Sequence, residues 1–557
     1  MKRSLILIIL SLVVIGGLLI ISCGKATPTT TAPATTTAPA TTAPATTKPA
    51  TTAPATTAPA TTKPATTVAP YGTITLASQT FSYETFDPIV GESFWGWAIY
   101  DPLVRMPDQG DPIGVVAESW TLSPDGKTWT FKIRKGIKFH NGDPLTSADV
   151  KFSVEHYADV KSTNPWSLYL RYNFVSASTP DEYTYVYVTK DPEPHLILPF
   201  SYTRILPKKY FETVGQDAFR KSPIGSGPYK YSSFTPSAKC VLEANTDYWG
   251  KMATYKTIID LLVPEEATRV AMIKSGEADI ATALGPDRIV EMKKLGFTLQ
   301  EYGLNTLFNV SFPGTWMTDS PTKDIKVRQA MSYAINRQEM CDTYFKGLAK
   351  PGSRWFINET GYGWDPSWKP DTYDLAKAKA LLAEAGYPSK FANPVIQLWS
   401  PTDIRNDLMQ ILKGYWDKAG IQTKLSTVDT QGYLGLFFFA KVGPTDPNIG
   451  SVIPWYYGSF SRSVYHSANM YTAGGAHSTS NDPKAKELYT KAVSELDSVK
   501  AKQYWTEFLN YAYSMWVNVG ILQLPTYAVV GPNLGAFTSE KSTGLYYLLS
   551  GIQHPAK

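Results

Sequence analysis

The sequence predicts an α/β protein, and three patterns carry that prediction. Between residues 394 and 427 a strand, an amphipathic helix and a second strand follow one another within about 35 residues. Val327, Ala330, Met331, Ala334 and Ile335 form one helical stripe, and Leu375, Ala378, Leu381, Leu382 and Ala385 form another. Period-two alternation marks residues 73–77 and 129–134 as half-buried strands. A strand–helix–strand unit this short requires parallel strands joined by a right-handed crossover.

The chain has 557 residues in three unlike parts. Lys2 and Arg3 precede an almost wholly apolar run from residue 4 to 21, and small Ser22 precedes Cys23. Charge, length and the small residue at the cut describe a secretory signal. The alternative is an uncleaved membrane anchor, since about 18 apolar residues nearly span a bilayer. The ending Ile20-Ile21-Ser22-Cys23 resembles the bacterial lipobox, which implies that Cys23 is the lipidation site. Two or three acyl chains would then hold the protein stably at a membrane.

Residues 24–70 repeat threonine, alanine and proline. Such a tract buries too little apolar surface to offset chain entropy, so a linker is expected there. Its prolines favour extended polyproline stretches reaching on the order of 140 Å. The first 70 residues hold five basic residues and no acid, and removing them leaves 48 basic against 48 acidic residues. The remainder is formally neutral, which argues against a nucleic-acid partner needing a basic surface.

Further along, residues 83–111 are aromatic and rich in Asp-Pro pairs, and read as loop with a short helix. Pro124-Asp125-Gly126 is a turn, because proline presets φ and glycine accepts positive φ. Thr146 to Asp149 has capping-box spacing and starts a helix near Ser147 that carries Val150, Phe152 and Val154. Gly386 and Pro388 end the helix of the second stripe. Ile404, Leu408, Ile411, Leu412 and Tyr415 give the crossover helix, and Ile421, Thr423, Leu425 and Thr427 the strand after it. Cys23, Cys240 and Cys341 are too few for a disulfide scaffold. Cys240 and Cys341 are either a pair or two buried thiols.

Five blocks, in order, resemble family 5 extracellular solute-binding proteins, the receptors of ABC importers for oligopeptides, dipeptides or nickel. They are AESWTLSPDGKTWTFKIRKGIKFHNGDPLTSADVKFSVEHY (117–157), SPIGSGPYK (222–230), AMIKSGEADIA (271–281), DIKVRQAMSYAINRQEM (324–340) and YDLAKAKALLAEAGYP (373–388). The second departs from the family pattern, with Ser226 in place of threonine. The resemblance implies a two-lobed, periplasmic-binding-protein-like fold of type II, with an extra subdomain in the first lobe and a hinge between lobes. It places lobe I at 71–311, with an insertion at about 111–222, lobe II at 312–522, and a return to lobe I at 523–557. The partners it implies are a small-molecule or peptide ligand and ABC permease subunits. The expected location is the extracytoplasmic face of the cytoplasmic membrane, through the lipid anchor.

No catalytic signature, metal-ligand spacing or cofactor motif is present, so a non-enzyme without cofactor is expected. Gly225-x-Gly227 before Pro228 lacks the third glycine of a dinucleotide site and reads as a tight turn. Aromatic residues off any helical or strand period are candidates for pocket lining. Phe94, Trp95, Trp97, Trp355, Trp455 and Tyr456 are of this kind. Asn309 and Asp446 join them as polar candidates, and Arg354 as a carboxylate partner. The resemblance assigns peptide binders an aspartate that holds the ligand's amino group. The corresponding position here is Gly443, with Ala440 in place of the family's tryptophan. This leaves the ligand open among peptide, oligosaccharide and other small solutes. A glycan-acting enzyme on a mucin-like stalk, or an adhesin or sensor derived from the receptor fold, are the alternatives.

Overall fold

A computed structural model describes residues 69–534, apart from 82, 92, 108–110, 165, 303–305, 314–318, 354–363, 402–405, 430–449, 459–480 and 533. The strand Tyr71–Ser78 buries Ile74 and Leu76 on one face and Ala77 on the other. It is the centre of a seven-stranded sheet, pairing in parallel with Tyr255–Leu262 on one side and Ile280–Ala281 on the other. The antiparallel strands Lys239–Ala244 and Tyr229–Thr235 continue one edge, and Tyr527–Val530 and Thr298–Glu301 continue the other. The late strand Tyr527–Val530 brings the chain back into the sheet that its first strand began.

A four-stranded sheet forms a second body. Its order is Lys350–Pro351, Asn518–Leu524, Thr306–Ser311, Ile453–Gly458. The expected strand–helix–strand unit is present beside it. Strands Ile396–Pro401 and Thr423–Val428 pair in parallel, joined by the helix Asn406–Ala419, which buries Leu408, Leu412 and Trp416. Val327, Ala330 and Met331 lie on the helix Ile325–Tyr333, with Ala334 at its end and Ile335 just past it, and the Leu375 stripe lies on Leu375–Ala385, which ends at Gly386 with φ +75°. Both stripes enter one core with Phe308, Val310 and Phe312. The chain passes between the two bodies twice, from Glu301 to Thr306 and from Leu524 to Tyr527. The passages run side by side, and the Tyr302 amide donates to the Thr526 carbonyl at 2.9 Å.

A third sheet of four antiparallel strands, Ala117–Leu122, Thr128–Ile133, Thr184–Thr189 and Phe174–Asp181, has its own core around Phe131, Tyr185 and Phe200. The capping box holds as expected. Asp149 accepts from the Thr146 amide at 2.8 Å, and the helix runs Ser147–Tyr157 with Val150 and Val154 buried. Phe152, on another face, packs against the core of the seven-stranded sheet instead. Cys240 and Cys341 are free buried thiols in separate cores, which resolves the open pairing question.

Candidate functional site

The strand Thr306–Ser311 lies beside both passages and pairs with two neighbours. Alternation sends Phe308 and Val310 into one core. Leu307 enters a different cluster, with Trp505, Phe508 and Ile453. Asn309 shares the Leu307 face. It is 1 % exposed, and neither its amide oxygen nor its amide nitrogen has a hydrogen-bond partner among the described residues. Its register partners are Trp455 on one side and Gly520, which has no side chain to fill the adjacent space, on the other.

The same cluster holds two more such groups. Trp399, on the strand Ile396–Pro401, packs against it, and Trp505, on the helix Ser498–Ser514, belongs to its centre. Neither indole Nε1 has an acceptor among the described residues. A buried polar group left unsatisfied costs about 1–3 kcal/mol. One amide and two indoles on connected elements form an uncharged set of donors with one carbonyl acceptor, among aromatic walls. That combination suits a small polar solute with apolar faces. Sequence reasoning missed Trp399 and Trp505 because each sits on a regular strand or helix period and reads as core. Only the unused Nε1 atoms distinguish them.

The other expected residues fall in different places. Trp95 is 1 % exposed and surrounded by Phe81, Phe86 and Phe234, and its Nε1 donates to Asp260 at 2.9 Å. This takes it out of the candidate lining, because its ring and its donor are both engaged in the core. Phe94 beside it is an exposed surface residue. Trp97 is half-buried, with the Arg204 guanidinium 3.4 Å above its ring and Tyr202 edge-on at 5.7 Å. Trp455 and Tyr456 lie on the strand paired with Asn309 and Phe308. Cys23, Arg354, Trp355, Gly443 and Asp446 lie outside the described residues.

A second polar centre stands where the third sheet joins the first body. Asp101, 1 % exposed, accepts from Trp249 Nε1 at 2.8 Å, Tyr248 hydroxyl at 2.9 Å and Ser226 hydroxyl at 3.1 Å. Burial pushes its carboxyl up to about 6, against those bonds and the Arg204 charge. Ser226 belongs to the glycine pair read above as a tight turn. A Cβ on Gly225 would lie 2.0 Å from the Ile99 carbonyl oxygen, and one on Gly227 2.5 Å from that of Ala98. The glycines allow close backbone packing against the short helix Gly96–Ile99.

Comparison with known proteins gives a consistent relationship. The family described as bacterial extracellular solute-binding proteins, family 5 (middle), matches residues 111–475. The dipeptide-binding protein of Escherichia coli K12 is 27% identical over 352 residues, 57% of this chain and 64% of that protein. The match thus spans a little less than two thirds of that relative's length. Among solved structures, NikA from Brucella suis in complex with Fe(III)-EDTA superposes with a TM-score of 0.75 at 21% identity, covering 87% of this chain and 100% of the other. DppA from Helicobacter pylori, in complex with the peptide STSA, gives 0.72 at 19% identity over 87% and 98%. Both share this two-lobed mixed α/β fold.

Proposed function

Because the chain belongs to the bacterial extracellular solute-binding proteins of family 5, we propose that it is a lipid-anchored receptor that captures a small solute between its lobes and delivers it to an ABC importer. The lobes close about the paired passages, and binding energy favours the closed state without breaking a bond in the ligand. We take the lobes to meet between Glu301 and Thr306 and between Leu524 and Tyr527, a few residues from the boundaries expected at 311 and 522. The insertion at about 111–222 belongs with the first lobe. Cys23 is the lipidated residue, permease subunits are the membrane partners, and the receptor works on the extracytoplasmic face.

The observation that supports this reading is the buried, unpartnered Asn309 amide beside the passages, with the unpartnered Nε1 atoms of Trp399 and Trp505 in the adjoining cluster. A solute reaching these groups would pair donors and an acceptor that otherwise stay buried and unsatisfied. The test is a thermal-shift series on the full chain with peptides, oligosaccharides and metal chelates. A true ligand at about 100 times its Kd adds roughly 2.7 kcal/mol. Asn309→Leu removes both the amide and its desolvation penalty, so it is expected to bind at least tenfold more weakly while unfolding no earlier than the parent. A variant that binds as well as the parent would remove Asn309 from the site. An unfolding midpoint well below the parent's would assign the amide to structure instead.

A further inference from the structure

The third sheet carries a contact with the opposite lobe that lies behind the candidate site and reaches its Trp505. Its first hairpin turns at Gly126, with φ +72°. The segment leaving the strand Thr184–Thr189 folds over this turn. The Glu193 amide donates to the Gly126 carbonyl at 2.9 Å, and Trp129 Nε1 donates to the Glu193 carbonyl at 3.0 Å. Turn and segment therefore form one fixed knuckle. It belongs to the first lobe, because the same subdomain is bonded there through the Ile205 amide to the Asp101 carbonyl at 3.0 Å and the His140 amide to the Gly225 carbonyl at 2.8 Å.

Facing the knuckle is a helical hairpin of the second lobe, Pro483–Ser494 and Ser498–Ser514. Aspartates cap both helices: Asp482 accepts from the Ala485 amide at 2.9 Å, and Asp497 from those of Val499 and Lys500 at 3.0 Å. The Asp497 cap fixes the turn between the helices and with it the position of Leu496. A Cβ built on Gly126 would lie 2.7 Å from Leu496 Cδ2 and 3.0 Å from Pro192 Cβ. The notch that receives Leu496 exists because residue 126 has no side chain. Alongside, the His195 ring meets Trp505 edge-on, with centroids 5.9 Å apart, and Trp505 is backed by Phe508 at 5.6 Å.

We infer that this contact is a latch: the knuckle of the insertion subdomain grips the Leu496 turn and Trp505 of the opposite lobe, and holds the lobes closed through protein atoms alone. The contact lies off the two chain passages, so rotating the lobes apart about those passages breaks it. The latch therefore sets the closed fraction together with the solute, and the apparent affinity for any solute scales with that fraction. This inference rests on the two-lobed fold and not on which solute is bound.

The experiment measures the distance between spin labels on Thr121→Cys and Lys502→Cys, both exposed positions on opposite sides of the contact. The full chain is used with Cys23→Ser and with no solute added; Cys240 and Cys341 are buried. The parent is expected to show one short distance. His195→Ala with Leu496→Ser is expected to move the open-to-closed ratio by roughly tenfold, from the loss of an aromatic pair and an apolar contact. Gly126→Asn is a second arm, because asparagine tolerates positive φ while its side chain fills the notch. It should give the same redistribution, and it decides the matter if the double variant fails to fold. Distributions for folded variants that superimpose on the parent's overturn the latch and leave the capture of solute by the parent untouched.

Discussion

Asp101 and His140 hold the same glycine turn from two sides, and burial moves their protons in opposite directions. Asp101 accepts from Ser226 and stands at about 6 rather than 3.8. Between those values the folded chain keeps a proton that the unfolded chain has released. Its contribution to stability is therefore largest in acid and falls by about 3 kcal/mol as pH rises from about 4 to about 6. His140 is pushed down to about 4, chiefly by burial. Its contacts fit the neutral ring with the proton on Nε2. Nε2 donates to the Gly227 carbonyl at 3.0 Å, and Nδ1 accepts from the Gly225 amide at 3.2 Å. A second proton would set Nδ1–H against that amide. Between about 4 and 6.5 the unfolded chain takes up a proton that the folded one refuses, so this contribution falls as pH drops. The two slopes oppose each other in one pH window. Urea unfolding at pH 4.5, 5.5 and 7 should show His140→Gln gaining stability toward acid relative to the parent, and Asp101→Asn losing it. Three parallel profiles would show that neither group titrates as the packing requires.

At the level of elements, two arginines tie the helices of the second lobe to its crossing strand. Arg328, on the helix Ile325–Tyr333, donates to the carbonyls of Thr322, Lys323, Met515 and Trp516 at 2.7–2.9 Å. Burial lowers its pKa to about 10, with Asp324 opposing. Arg337 likewise reaches Gly520 on the strand Asn518–Leu524 at 2.8 Å. A lysine has three donors on one atom and cannot serve four carbonyls spread around a planar fork. Arg328→Lys should therefore cost about 2 kcal/mol or more in urea unfolding, with Lys326→Ala, which loses only a surface pair with Glu384, as the near-neutral control. A change within about 0.5 kcal/mol would mean that water replaces the fork without loss. This element also shows what was legible in the sequence. The stripe of Val327, Ala330 and Met331 announced the helix, as Thr146 and Asp149 announced another and alternation announced the parallel pair around 396–428. Those signals are local. The pairing of residues 306–311 with 518–524 joins segments over 200 residues apart, and nothing in either segment names the other. The site was less legible still. Asn309 could be nominated as a polar residue, but its lack of partners depends on three strands meeting. Trp95 carried the same aromatic signal as a pocket residue and is core, because its partner Asp260 is remote in sequence.

On the proposed function the whole molecule poses a problem of reach, since such a receptor must capture solute and still meet a membrane transporter. Among the described residues no helix is long and apolar enough to cross a membrane. The attachment the sequence suggests lies in the amino-terminal 23 residues, either through a lipid on Cys23 or through the apolar run before it. The two cases separate cleanly. A thioether lipid requires the cysteine sulfur, whereas an uncleaved span requires only the run of residues 4–21 and ignores residue 23. Cys23→Ser should thus move the chain from the membrane fraction to the soluble fraction of cells whose signal peptidases still cut it, or leave it as an unprocessed precursor of higher mass where they do not. The solute-induced thermal shift of released protein should match the parent's, because Cys23 lies far along the sequence from Asn309 and its cluster. Membrane retention of the variant with parental mass would establish the apolar run as the anchor. The Thr/Ala/Pro tract would then begin at the membrane surface rather than at a lipid, and its extended reach, on the order of 140 Å, would serve the same capture with a different attachment.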